Sequence, residues 1–351
     1  MVFGKKDILL GVDIGSHAVK MIQVQAKDAS LKLVSLGLVP VPREAFMEGR
    51  VGKPDLVAGS IRDLTSHLKL KVKQAAGAIS GYEVMIKKIE LPTMTEEELD
   101  VRMSAELGQY IPYNIEEVDV DYQVLGASKD RANLMEVLLV AAKKESVNDY
   151  LELIRMSGLD PVVVDVDFFS LSNALEATYG LTDKTVALLD IGANKAIMNI
   201  VLHGVPVFTR GISIGGSQIN EGIKDACGVS YEEAEKIKLG EARERVSKKD
   251  VEGVFLTVVR SWVNECKRAV DFYYSNYPDR RIEKLFLSGG SSRIPGIDKV
   301  FSEYLNVETE IFNPLSKVSC DPKMFDPAYV DYIGPQMAIS LGLALRKAAA
   351  K

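Results

Sequence analysis

The chain has 351 residues, 47% of them hydrophobic and 26% charged, with a formal net charge of −6. That describes a globular protein long enough for two ordinary cores and argues against nucleic acid as its main partner. Cys227, Cys266 and Cys320 are odd in number and far apart, giving no disulfide framework and no zinc spacing and pointing to a reducing compartment. Met1–Asp7 carries two lysines and no signal-peptide core, and no apolar run is long enough to span a bilayer, so the chain is not expected to cross a membrane unaided.

In chain order, Ile8–Ile14, Val19–Gln25 and Leu31–Val39 read as strands, and Asp55–Leu70 as an amphipathic helix. Ala75–Ser80 is a buried strand, Glu145–Ser157 a helix ended by Gly158, Val162–Val166 a strand and Phe168–Tyr179 a helix ended by Gly180. The second half repeats this order. Its strands are Val186–Ile191, Ala196–Leu202 and Val205–Arg210. A long helix at Glu252–Tyr277 follows, then a strand at Lys284–Leu287, a helix at Pro295–Tyr304, a strand at Val307–Phe312 and a last helix at Gly334–Ala349. The plan predicts two duplicated α/β domains.

The halves differ in their insertions. The first carries Tyr82–Ala142, read as a strand (Val84–Leu91), a helix (Thr95–Tyr110) with a Thr95/Glu98 capping box, and strands Val118–Leu125 and Leu134–Val140. The second carries a charged helical stretch at Gly215–Asp250, of which Glu241–Asp250 reads as solvated surface. The expected domains are therefore 1–81 plus 143–184, closed by a helix at about 333–351; an inserted 82–142; 185–214 plus 251–332; and an inserted 215–250.

One phrase occurs twice, about half the chain apart: Asp13-Ile14-Gly15-Ser16 and Asp190-Ile191-Gly192-Ala193, each between two strands. A carboxylate at a strand end can meet a hydrated magnesium ion, and a bare glycine lets backbone N–H groups approach phosphate. Ser16, His17, Ala193 and Asn194 line the same turns, and Lys20 can offset phosphate charge. The bland alternative is a pair of type I′-like hairpins, in which Asp and Gly are ordinary turn residues. Gly289-Gly290-Ser291, between a strand and a helix, offers a bare surface to a base or ribose, although such glycines also serve packing alone. Glu235 and Lys238 share a helix face and suit ribose hydroxyls and an adenine, or make only an exposed ion pair. Asp165 and Asp167 are candidates for orienting a water, and helix N-terminal placement explains Asp167 equally well. No Walker phosphate loop, G-x-S-x-G or HExxH occurs.

These residues together resemble the actin-like ATPase superfamily of actin, DnaK-type chaperones, sugar kinases and FtsA. Gly11–Lys20 and Leu188–Lys195 look like its two phosphate motifs, Leu287–Gly296 like its adenosine motif, and Asp167–Tyr179 and Ile333–Gly342 like its two connecting helices. The inserted 82–142 block is similar to the small α/β subdomain of FtsA-like members. Asp13–Ser16, Val164–Asp167 and Gly204–Pro206 are similar to the PilM family of type IV pilus assembly. That resemblance implies ATP and Mg²⁺, with Asp13 and Asp190 toward the metal. It implies a cytoplasmic adaptor that captures the N-terminal tail of the inner-membrane protein PilN in a groove beside the insertion. It also implies peripheral association with the inner membrane through that partner, contact with pilus motor ATPases and a homo-oligomeric ring. The superfamily's second turn often carries threonine, where Ala193, Lys195 and Ala196 stand here, so hydrolysis is expected to be weak or absent. A small-molecule kinase or a filament-forming protein of the same superfamily remains the alternative.

Overall fold

A computed structural model of the chain describes residues 9–27, 30–47, 49–81, 84–128, 131–241 and 246–346. Its elements begin with β1 (Leu10–Ile14), β2 (Ala18–Lys27) and β3 (Ser30–Pro40), then the two-residue strands β4 (Phe46–Met47) and β5 (Arg50–Val51), α1 (Pro54–His67) and β6 (Gln74–Ile79). The insertion supplies β7 (Val84–Pro92), α2 (Glu96–Tyr110), β8 (Val118–Ala127) and β9 (Leu134–Lys143). The first half closes with α3 (Lys144–Met156), β10 (Asp160–Val166) and α4 (Asp167–Tyr179). The second half contains β11 (Val186–Ile191), β12 (Ala196–Leu202), β13 (Val205–Ile212), α5 (Gly216–Cys227), α6 (Tyr231–Lys238) and α7 (Lys248–Asn276). It continues through β14 (Lys284–Ser288), α8 (Ile297–Leu305), β15 (Glu308–Ile311), β16 (Val318–Ser319), α9 (Pro327–Ile333) and α10 (Ala338–Ala344).

The two large sheets have one plan. The first runs β10-β6-β1-β2-β3-β16 and the second β13-β12-β11-β14-β15. In each, an antiparallel meander of three strands continues through parallel pairs, β1 with β6 and β11 with β14. The duplication read from the repeated phrase is thus a duplication of topology. Strand β16 pairs with β3, so the chain rejoins the first sheet before position 333, earlier than the sequence boundary placed it.

Helices α4 and α10 pack between the sheets, and their close approach is set by glycine. A Cβ on Gly342 would lie 1.7 Å from the Ser170 carbonyl oxygen, and one on Gly11 would lie 2.0 Å from that of Ser340. Helix α9 was not expected; the last expected helix, Gly334–Ala349, begins as a 3₁₀ turn at Gly334–Met337, where Pro335 stands, and is α-helical only from Ala338 in α10. Its expected end at Ala349 lies outside the described residues. Trp262 and Tyr273 of α7 and Phe301 of α8 fill the core of the second half. The insertion is a three-stranded sheet, β7-β9-β8, with α2 on one face over Leu91, Val137 and Leu139. The capping box at Thr95 is formed. Among the described residues, no helix is long and apolar enough to cross a membrane.

Candidate nucleotide site

Two turns with one geometry face a common cleft of about 440 Å³. In the first, the Gly15 N–H donates to the Ala18 carbonyl at 3.1 Å; in the second, Gly192 donates to Lys195 at 2.9 Å. Flanking strands pair Ile14 with Val19 and Ile191 with Ala196. None of these turn residues has a positive φ, which removes the type I′ hairpin alternative. Crowding is what restricts the two glycines. A Cβ at Gly15 would lie 3.1 Å from the Ala18 oxygen and the Lys20 ammonium, and one at Gly192 would lie 3.0 Å from the Lys195 oxygen.

Asp13, Gly15, Ser16, His17, Lys20, Asp190, Gly192, Ala193, Asn194, Glu235, Lys238, Gly290 and Ser291 all line this cleft. Gly289 does not. Its φ of +85° and the 2.5 Å that would separate its Cβ from the Ile191 oxygen make it a packing glycine behind the wall. Asp167 lines the cleft, whereas Asp165 faces away and pairs with Arg346, 3.3 Å off. The reason lies in the chain path. β10 ends at Val166 and Asp167 is the first residue of α4, so strand alternation no longer relates the two carboxylates.

The electrostatics converge on three aspartates. Lys20 lies opposite Asp13 across the β1–β2 pair, with its Nζ 2.6 Å from the carboxylate. Burial pushes Asp190 up to about 6, with Asp13 adding to the rise while the Ser288 hydroxyl, donating at 2.7 Å, and Lys20 restrain it. Burial likewise pushes Asp167 up to about 7, against hydrogen bonds from the Gly81 and Phe168 N–H groups and with help from Asp190 and Asp13. Among the described residues, no group of three or more His, Cys, Asp or Glu side chains is arranged to hold a metal unaided. A cation here would need oxygens from a ligand and water.

Across the cleft, the Lys238 ammonium donates to Glu235 at 2.7 Å and the Asn220 amide donates to the same oxygen at 2.6 Å. Lys238 is 5% exposed, so this is a buried pair and not a solvated one. Burial alone would raise Glu235; Lys238, Asn220 and His17 reverse that and hold its carboxyl below the usual range. His17 stands exposed at the rim, yet the surrounding protein lowers its pKa, with Glu235 opposing and Lys238 and Lys20 assisting. The Ser291 hydroxyl donates to the Gly192 carbonyl at 3.0 Å, tying the glycine-serine turn to the second phosphate-like turn.

Several lining residues escaped the sequence reading. Ser217 and Asn220 come from α5, whose first N–H groups bond the Gly192 and Ala193 carbonyls at 3.0 and 2.8 Å. The Gly215-Gly216 pair before an amphipathic stretch was their available signal. Arg293 stacks on Tyr332, with its guanidinium 3.7 Å from the ring centroid. Tyr332 also donates to Glu241 at 3.4 Å; within 241–250, Glu241 and Ser247–Asp250 are exposed as expected and Val246 packs against the core of the second half, while residues 242–245 lie outside the described residues.

A second cavity, also about 440 Å³, lies on the other side of α4. Its walls are β8 and β9 of the insertion, the end of β10, Phe169, Asn173 and Glu176 of α4, and the Gly204–Pro206 turn. Strand β8 is an edge strand, so one side of its backbone is unpaired within the sheet.

Comparison with known proteins gives the family. The sequence pattern of the family described as type IV pilus assembly protein PilM matches residues 11–348. The chain belongs to the PilM family. It is 29% identical to a chain of the solved PilM–PilN type IV pilus biogenesis complex, with a TM-score of 0.82 over 96% of this chain and 98% of that one. It is 22% identical to cell division protein FtsA of Bacillus subtilis, over 88% of this chain and 79% of that protein. Spiroplasma citri MreB5, solved with ADP bound, shares the fold at 11% identity and a TM-score of 0.55, over 97% of this chain and 95% of that one. The protein is an actin-like member of type IV pilus assembly.

Proposed function

We propose that this chain is an ATP-binding adaptor that holds the N-terminal tail of PilN. The convergence of both Asp-Ile-Gly turns and the Glu235–Lys238 pair on one cleft carries the nucleotide part. Asp13 and Asp190 fit magnesium, which favours one or two carboxylates together with water and phosphate oxygens. Their mutual repulsion in a buried site is the charge a cation would neutralise. Gly15, Ser16, His17, Gly192, Ala193 and Asn194 would take the phosphates, with Lys20 balancing charge. Glu235 and Lys238 would take the ribose, and Gly290 and Ser291 the base side. When bound, Mg²⁺ would neutralise phosphate charge. Asp167 is the nearby carboxylate available to a water, but no hydroxyl stands at Ala193 or Ala196, and turnover is proposed to be slow or absent.

The second cavity is the proposed seat of the PilN tail. An extended peptide suits it because β8 offers unpaired backbone and Val140, Val164 and Phe169 offer an apolar floor. Helix α4 forms a wall of this groove and starts at Asp167 in the nucleotide cleft, so the two sites share one rigid element. The structural likeness to the PilM–PilN complex supports this occupant. Asn173→Trp would fill the groove from a half-buried position. Calorimetry with a synthetic PilN tail peptide should then show peptide affinity falling by tenfold or more while ATP affinity is retained. Unchanged peptide affinity would contradict the assignment.

A further inference from the structure

One residue bridges the two halves just outside the nucleotide cleft. Arg43 follows β3 of the first sheet, in a 3₁₀ turn at Arg43–Ala45. Its Nη2 lies 2.9 Å from Glu221 of α5, and its guanidinium sits 3.6 Å from the ring centroid of Tyr231 in α6. Both contacts reach helices of the second half. Each end of the bridge then runs back to a phosphate-like turn. On the near side, the Val41 N–H donates to the His17 carbonyl at 2.9 Å. On the far side, the Tyr231 hydroxyl donates to Ser217 at 3.0 Å, and the Ser217 N–H donates to the Ala193 carbonyl at 2.8 Å. The path therefore links turn to turn, from His17 to Ala193, around the outside of the cleft.

We infer that Arg43, clamped between Glu221 and Tyr231, is a clasp that holds the cleft closed and sets how fast nucleotide leaves. This deepens the nucleotide reading and rests on it. Moving the halves apart separates Arg43 from both partners, whereas motion within one half does not. The contacts are strong enough to bias closure and weak enough to open on their own, since an exposed ion pair and a cation–π contact are each modest. Planarity matters, because a guanidinium can pair with a carboxylate and lie flat on an aromatic ring at the same time. Arg43 is a positioning residue, since it acts on the ligand only through the turns.

The test uses the full chain. Arg43 is 59% exposed, so truncating it leaves no cavity, and the thermal midpoint of Arg43→Ala serves as the folding control. With a fluorescent N-methylanthraniloyl-ATP probe and Mg²⁺, stopped-flow release from Arg43→Ala should be about 3- to 30-fold faster than from the unaltered chain. Arg43→Lys should fall between them. Hydrogen exchange on the nucleotide-free protein supplies a second readout. Peptides covering 13–20 and 190–196 should exchange faster in Arg43→Ala and at an intermediate rate in Arg43→Lys. Unchanged release and unchanged exchange overturn the clasp. Should the unaltered chain bind no probe while Arg43→Ala still speeds exchange at both turns, the clasp stands and the nucleotide assignment falls.

Discussion

Asp167 shows how burial, with Asp190 and Asp13 adding to it, can turn an aspartate at a helix start into a titrating group. Its Oδ1 accepts from the Gly81 and Phe168 N–H groups at 3.0 and 2.8 Å, yet its pKa is raised to about 7. The folded chain therefore holds a proton that the unfolded chain has released above its ordinary value near 4. Between those values the native state binds more protons, so stability is greatest at the acid end and is lost as pH rises through about 7. Asp167→Asn keeps the acceptor oxygen and carries no charge. Without nucleotide or metal, it should match the unaltered chain near pH 4 and be more stable by about 1–3 kcal/mol at pH 8. Urea midpoints at the two pH values check this; a variant less stable at pH 8 would contradict it. The strand-to-helix change between Asp165 and Asp167 was legible, but which of the two carboxylates faces the cleft depends on tertiary packing. Ser288, which bonds Asp190, was invisible for the same reason: only the parallel pairing of β11 with β14 brings it there.

At the scale of elements, the repeated phrase was legible because a strand, a short glycine turn and a second strand form a local pattern. The structure adds that both turns close through the same hydrogen bond. Local helix signals were legible too, as at the Thr95 cap and the Gly158 and Gly180 stops. Helix α9 was not read from the sequence, and the late start of α10 behind the 3₁₀ turn at Gly334–Met337 and the tight crossing of α4 depend on packing. That crossing makes a sharp prediction. Gly342→Val would drive a side chain into the Ser170 backbone carbonyl and should destabilise the protein by about 3 kcal/mol or more, read by thermal unfolding. Gly253→Val, on the exposed side of α7 with nothing within 4 Å of its Cβ, should cost far less. Equal losses would mean that the crossing is not the constraint.

At the scale of the molecule, two sheets of one plan enclose a cleft, and an insertion on the first half builds a groove behind α4. The class of fold was readable from element order and the duplicated turn. The groove was not, since its walls come from six separated segments. A shared helix gives the account its mechanical content: nucleotide on one side of α4 and peptide on the other can bias the same two-state closure. If they do, saturating Mg²⁺ and ATP should change peptide affinity by a factor that ATP affinity reciprocates when the peptide is saturating. Calorimetry of each ligand in the presence of the other measures it, and affinities unchanged in both titrations would contradict coupling through α4.

The most direct measurement is calorimetric titration of ATP, with and without Mg²⁺, into the unaltered chain, Asp13→Ala and Asp190→Asn. Binding to the unaltered chain should strengthen with Mg²⁺, and each substitution should weaken it by tenfold or more and reduce that metal dependence. Equal affinity across the three proteins, or binding indifferent to the metal, would contradict a site in which the two aspartates meet one cation and one triphosphate.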